Sequence, residues 1–260
     1  MKFFINLWRS VTNFRFYKEI ASQKVSKSIG YFIFFMLLIT LLLSMKLSTA
    51  LIQGVGAKIE EIGYGLPEIR IENGVVSTDA HEPFIIEEKD FTFIIDTTGK
   101  ITTIDPSYKQ GILLTKNKLI HRQSEIETRT YDLSKIKSFT LNKESMKRWQ
   151  RTFSRFAFPL LLVILFPYFV VVKLIHILLF SLIALIVNAA TKADLKYENL
   201  FNISLFALTP PVLLATIFNL TGLRFPLFRL LYIAIYIVFL VGGIRGCKEV
   251  YPVRDGNITK

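Results

Sequence analysis

An uncharged apolar run at residues 29–45 is followed by a long, mostly polar stretch, and a second apolar territory then fills most of residues 156–246. A helix needs about 20 predominantly apolar residues to cross a hydrocarbon core of about 30 Å. Each apolar territory meets that length. The pattern therefore predicts a membrane α-helical bundle of about four spans. A small antiparallel β-rich domain is inserted after the first span and lies outside the cytoplasm.

The chain is 52% hydrophobic, with 23 Phe, although 20% of its residues are charged. A soluble chain spreads its apolar residues through amphipathic elements, whereas here they are segregated. The formal net charge of +12 would suit a nucleic-acid binder. Its placement points elsewhere. Residues 1–27 carry Lys2, Arg9, Arg15, Lys18, Lys24 and Lys27 against Glu19 alone. Basic charge beside a first membrane span sets topology and meets lipid headgroups, so no nucleic-acid partner is expected. The single cysteine, Cys247, excludes an internal disulfide and a Cys-based metal site.

Residues 1–27 read as a basic amphipathic interfacial helix. Phe3, Phe4, Leu7, Trp8, Val11 and Phe14 recur at helical spacing, with polar and basic residues largely opposite. Trp8, Arg9, Arg15 and Lys18 are its expected membrane-interface residues. A helix packed on its own membrane bundle is the alternative. Residues 28–52 form the expected first transmembrane helix, retained as an anchor because no clean cleavage pattern follows it. The basic residues before it place the N-terminus in the cytoplasm. The apolar spacing continues through Leu47, Leu51, Val55, Ile59 and Ile62 as a helical stalk, until Gly63 and Gly65 stop it ahead of Pro67.

Residues 53–155 are the expected extracytoplasmic β-rich domain with helical stalks. From Glu68 the period changes to alternation. Asn73-Gly74 between Ile69, Ile71 and Val75, Val76 is a strong hairpin signal. Further strand-like runs at residues 83–86, 91–95, 111–114, 119–123 and 125–131 bring the count to six or seven. Asp96-Thr97-Thr98-Gly99-Lys100 superficially resembles the aspartic-protease and phosphoryl-transfer-pump loops but matches neither. It reads as a turn, in which Asp caps and Gly supplies positive φ. His81 and His121 make no metal cluster without partners. No phosphate-binding loop, nucleophile elbow or zinc-protease helix occurs, and no catalytic, metal or cofactor-binding residue is expected. Trp149, near the basic run from Lys143 to Arg155, suits an interfacial anchor.

Residues 156–247 are the expected C-terminal transmembrane bundle, and residues 248–260 a tail. Residues 156–190 would make a helix of about 52 Å at a rise of about 1.5 Å per residue. It is either one long helix bent at Pro159 and Pro167 or two short ones turning near Lys173 and His176. The lack of turn residues favours one. Lys173 and His176 share a face and are candidate intramembrane polar residues. Thr209, Pro210 and Pro211 are candidate gating residues, because paired prolines break a membrane helix. Residues 188–202 read as a polar connector, and the last span runs from about Leu227 to Ile244, ending at Gly242-Gly243 and the basic Arg245 and Lys248. Four spans leave the C-terminus cytoplasmic; five place it outside.

Several motifs resemble one bacterial membrane family. They are Leu66-Pro67-Glu68-Ile69, Ile71-Glu72-Asn73-Gly74, Ile94-Ile95-Asp96-Thr97-Thr98-Gly99, Ile112-Leu113-Leu114-Thr115-Lys116 and Ala207-Leu208-Thr209-Pro210-Pro211. The chain is similar over nearly its whole length to the domain-of-unknown-function family 1189 of Gram-positive bacteria, some of whose members are labelled maltodextrin utilization proteins. The resemblance implies a multi-pass plasma-membrane protein facing the cell envelope. It also implies a link to maltodextrin uptake, and it supplies no catalytic residues.

These readings lead to a non-enzymatic membrane accessory or regulatory protein whose outer domain binds a partner or envelope ligand. Its expected partners are the lipid bilayer and a membrane protein complex, a sugar transporter among the candidates. A small transporter or channel component is the alternative. An enzyme acting on lipid or peptidoglycan ranks third, for want of an acid/base pair.

Overall fold

The computed structural model describes residues 2–63, 65–223 and 225–248. They fold into two compact units. One is helical and takes its residues from both ends of the chain, up to Ala50 and again from Ala157. The other, Leu51–Phe156, holds every strand among the described residues. Helices α3 (Val25–Gly63) and α4 (Lys143–Thr191) each run from one unit into the other.

Among the described residues, four helical stretches are long and apolar enough to cross a membrane: Val25–Glu60, Lys143–Thr191, Tyr197–Thr221 and Phe228–Lys248. Helix α3 starts before residue 28 and continues through the expected stalk without a break. Helix α4 is one continuous helix through Pro159 and Pro167, so the two-helix alternative falls away. Its 49 residues give about 73 Å at a rise of about 1.5 Å per residue.

The N-terminal segment departs from the single helix expected. It holds α1 (Lys2–Thr12) and α2 (Phe16–Ala21), and α3 has begun by Val25. The break falls at Asn13, whose Oδ1 accepts the Arg15 N–H at 2.9 Å and stabilises a turn instead of a helix interior. Helix α1 keeps Phe4, Ile5 and Trp8 exposed, whereas α2 buries Phe16, Tyr17, Ile20 and Ala21 against α5 (Tyr197–Ala207) and α7 (Phe228–Lys248). The packed alternative thus holds for α2.

Helix α5 is the core of this unit, with every residue from Leu200 to Ala207 buried. The expected connector at 188–202 is therefore too long. Helix α4 lasts to Thr191 and α5 resumes at Tyr197, leaving Asn202 inside. Backbone near α2 accepts the side-chain amides of Asn199 and Asn202, while the buried Oδ1 of Asn202 keeps no partner among the described residues. Asn199 Nδ2 donates to the Ala21 carbonyl at 2.6 Å, and Asn202 Nδ2 to that of Gln23 at 2.8 Å. Aromatic stacking joins further helices: Tyr31 on Phe206 at 4.1 Å and Phe180 on Tyr236 at 3.8 Å between centroids. Helix α7 does not end at Gly242-Gly243 but passes through both to Lys248. These glycines are packing positions: Phe14 lies over Gly242, and Tyr17 and Ile203 lie over Gly243.

Among its described residues the strand-bearing unit has eight strands in two sheets, against the six or seven expected in a small antiparallel sheet or sandwich. A three-stranded antiparallel sheet has the order β2-β1-β8, from β1 (Ile69–Glu72), β2 (Val75–Thr78) and β8 (Ser138–Leu141). The Asn73-Gly74 turn between β1 and β2 has positive φ at both residues, as its sequence requires. A five-stranded sheet has the order β3-β4-β5-β6-β7, from β3 (Phe84–Glu88), β4 (Phe91–Asp96), β5 (Gln110–Thr115), β6 (Lys118–Arg122) and β7 (Thr128–Asp132). Its central pair, β4 and β5, is parallel, so the sheet is mixed.

A parallel pair needs a long crossover. Residues 97–109 provide it without a helix, and their apolar side chains cover one face of the sheet. Ile104 buries against Ile94 and Leu113, with Ile101, Tyr108 and Ile120 around them. The alternate residues Ile95 and Leu114 face the other way, into a core with Ile69, Ile71 and Val76 of the small sheet. Burial on both faces explains why β4 and β5 read as continuous apolar runs.

Candidate functional site

The polar residues singled out in the second apolar territory lie in the helical unit. Lys173 of α4 donates from Nζ to Tyr232 Oη of α7 at 2.9 Å, and the ammonium stands 4.6 Å from the centre of that ring. One turn further along α4, His176 keeps a buried Nδ1 with no hydrogen-bond partner. No carboxylate meets Lys173 among the described residues. Lys173 lines a cavity of about 190 Å³ together with Thr216 and Asn219 of α6 (Thr209–Thr221).

Thr209, Pro210 and Pro211 are all buried and form the start of α6. Proline fits the first turn, where a backbone N–H would lack an intrahelical acceptor in any case. Leu208 joins α5 to α6 in helical conformation, so the prolines mark a one-residue interruption within one helical stretch. Thr209 Oγ1 is hydrogen-bonded to Tyr31 Oη at 3.0 Å. That contact ties the interruption to α3 and leaves Lys173 and His176 outside it.

The expected interface residues divide. Trp8 is 69% exposed and Trp149 51%. Arg15 and Lys18 are exposed as well. Arg9 is engaged: it binds both carboxylate oxygens of Glu19, at 2.5 and 2.9 Å, and lies 4.3 Å over the Phe16 ring. Trp149 has the ring of Phe139 5.9 Å away.

In the strand-bearing unit, the segment after β4 is the turn the sequence predicts, with φ of 82° at Gly99. Asp96 is fully buried. Its carboxylate accepts the Thr98 hydroxyl at 2.5 Å, the Thr98 N–H at 2.9 Å and the Ile101 N–H. Burial pushes this carboxyl up, but the hydrogen bonds from Thr98, Ile101 and Gly99 outweigh it and hold it below its ordinary value. Glu82 braces the same loop from the other side. It accepts the Thr97 hydroxyl at 2.7 Å, the Thr98 N–H at 3.1 Å and the Thr97 N–H. Glu82 was not legible as part of this site, because the residues it binds lie 15 and 16 positions away.

The braced loop and the β5–β6 turn form a groove of about 540 Å³. Its polar lining includes Thr97, Thr98, Thr102, Asn117, Lys116 and Lys118. Lys116 and Asn117 use their carbonyls to accept the N–H groups of Val76 and Leu133, which fixes the turn. The result is a rigid rim of hydroxyl, amide and ammonium groups. Both nearby carboxylates are occupied in holding backbone. This chemistry suits reversible recognition by hydrogen bonds and charge. A second groove, of about 320 Å³, is lined by Glu68, Arg70, Ser77, Thr78 and Asp79, with Glu68 and Arg70 paired at 2.6 Å.

His121 sits on β6 opposite Ile112 and Arg129, and His81 precedes β3. No group of three or more His, Cys, Asp or Glu able to hold a metal ion occurs among the described residues.

Residues 4–244 match the model of a protein family described as "Protein of unknown function (DUF1189)". No curated protein and no solved structure matches the chain.

Proposed function

The chain belongs to the DUF1189 family, and we propose that it is a non-enzymatic accessory or regulatory protein of the bacterial plasma membrane. The four apolar helical stretches form a bundle in the bilayer, and the strand-bearing unit is inserted outside the cytoplasm. The six basic residues among the first 27, against one acidic, support a cytoplasmic N-terminus. With four spans, the C-terminus is cytoplasmic too. The outer unit binds a partner or an envelope ligand. The supporting observation is the groove beside Asp96, where both carboxylates are taken up by the backbone and hydroxyls of Thr97 and Thr98, and Thr102, Asn117, Lys116 and Lys118 line the groove as groups for making contacts.

A membrane protein complex is the expected partner. Its narrower form, a link to maltodextrin uptake in a Gram-positive envelope, rests on the family resemblance. Affinity purification from native membranes in mild detergent tests the proposal. Specific companions should co-purify and should be lost from a variant carrying Lys116→Glu and Lys118→Glu. Recovery of this chain alone would count against it.

A small transporter or channel component is the second reading. It is favoured by Lys173 beside a cavity and by the Thr209-Pro210-Pro211 interruption. Proteoliposomes carrying Lys173→Ala or Pro210→Ala should then show altered flux. Flux equal to that of empty liposomes for the unaltered protein and both variants would remove this reading.

A further inference from the structure

The cavity beside Lys173 has an apolar wall and a cationic rim. Met36, Ile39 and Leu43 of α3, Phe169 of α4 and Val212 of α6 make the wall. Lys46 lies three residues beyond Leu43, on the same helix face. Its Nζ donates to the Asn219 carbonyl, which places the ammonium at the negative end of α6. Each ammonium has three donors. Among the described residues, Lys46 has one acceptor, the Asn219 carbonyl, and Lys173 has one, the Tyr232 hydroxyl.

The helical unit offers these lysines no carboxylate among its described residues. Its acids there are Glu19, Asp194 and Glu198. Glu19 is taken by Arg9. Glu198 sits in the first turn of α5, and Asp194 just before it. Asn219 lies at the other end of the same helical stretch, about 30 Å away at a rise of about 1.5 Å per residue. Cations in apolar surroundings are costly without a counter-charge.

We infer that this cavity is a binding site for one anionic phospholipid. Lys46 and Lys173 take the phosphate, and the start of an acyl chain enters the cavity. A diffusible anion would satisfy the lysines but not the apolar wall; a zwitterionic lipid brings its phosphate together with a cation of its own, which two lysines repel. The inference rests on the membrane placement proposed above and is independent of the groove in the outer unit.

Native mass spectrometry of the full chain in mild detergent, loaded with equal phosphatidylglycerol and phosphatidylcholine, tests it. Phosphatidylglycerol should be retained about tenfold better, as expected for hydrogen bonds to a charged group. Lys173→Met should erase that preference. Ala215 also lines the cavity, and Ala215→Phe, which fills it and leaves both lysines, should lower retention of either lipid at an unchanged melting temperature. Arg151→Gln removes a charge elsewhere and should change nothing. Inorganic phosphate should not displace the lipid; displacement would overturn the need for an acyl chain. Equal retention of the two lipids by a protein that stays in carbonate-washed membranes would overturn the site. Release by carbonate would overturn the membrane placement itself.

Discussion

The ring of Tyr17 lies so close to Gly243 that a Cβ on the glycine would meet its Cδ1 at 2.6 Å. Tyr17 is fully buried there, and its hydroxyl donates to the Ser10 carbonyl at 2.9 Å. The short helix α2 is thus clamped onto α7 by a missing side chain. Gly243→Leu should overpack this contact and cost about 1–3 kcal/mol. A lower melting temperature in detergent and faster proteolysis within the first 24 residues would report it.

Asp96 ties acidity to the stability of the strand-bearing unit. Its carboxyl is held below its ordinary value in the folded chain, so its contribution is full above the unfolded value, near pH 4. The contribution is lost as pH falls through the folded value. Asp105 and Asp132 shift the same way, through hydrogen bonds from Ser107 and Ser134. Backbone amides at residues 97–101 should therefore lose hydrogen-exchange protection below about pH 4, relative to neutral pH and after correction for intrinsic rates. Asp96→Asn should lower protection at neutral pH by about 1–2 kcal/mol and flatten the acid response.

The bond between Tyr31 and Thr209 is buried and links helices 178 positions apart in sequence. Thr209→Val takes away a buried partner of the phenol and should cost about 1–3 kcal/mol. Tyr31→Phe combined with Thr209→Val should cost less than the two single changes added together, because the lone polar group is gone. Thermal unfolding of the four proteins measures the coupling directly.

Topology gives the simplest check on the proposed placement. In a Cys247→Ser background, Lys192→Cys should react with a membrane-impermeant maleimide only after cells are opened. Asn117→Cys should react in intact cells. The reverse pattern would invert the orientation.

What the sequence revealed depended on how local each cause was. The long apolar helix α3 and the β1–β2 hairpin were legible because residues 29–45 and Asn73-Gly74 carry their own signals. The parallel pairing of β4 with β5 was not, because a strand buried on both faces has the same pattern in either direction. Strand β8 is short and half polar, and it reads as a lead-in to α4. Gly242-Gly243 looked like a helix stop, since local propensity disfavours glycine, but tertiary packing of Phe14 and Tyr17 decides there. Lys173 stood out at once. Its partner Tyr232 lies 59 positions away and had no signal of its own.

The reach of Asn199 and Asn202 back to Ala21 and Gln23 has a consequence for biogenesis. The residues from Leu51 to Phe156 are contiguous and can finish folding while the ribosome is still making the rest. The helical unit has no such option. Its innermost helix and the backbone it grips are made at opposite ends of synthesis, so the early helices wait with their polar carbonyls open until α5 arrives. A truncation ending before Tyr197 should leave a finished strand-bearing unit on an unfinished helical unit, a natural substrate for quality-control proteases.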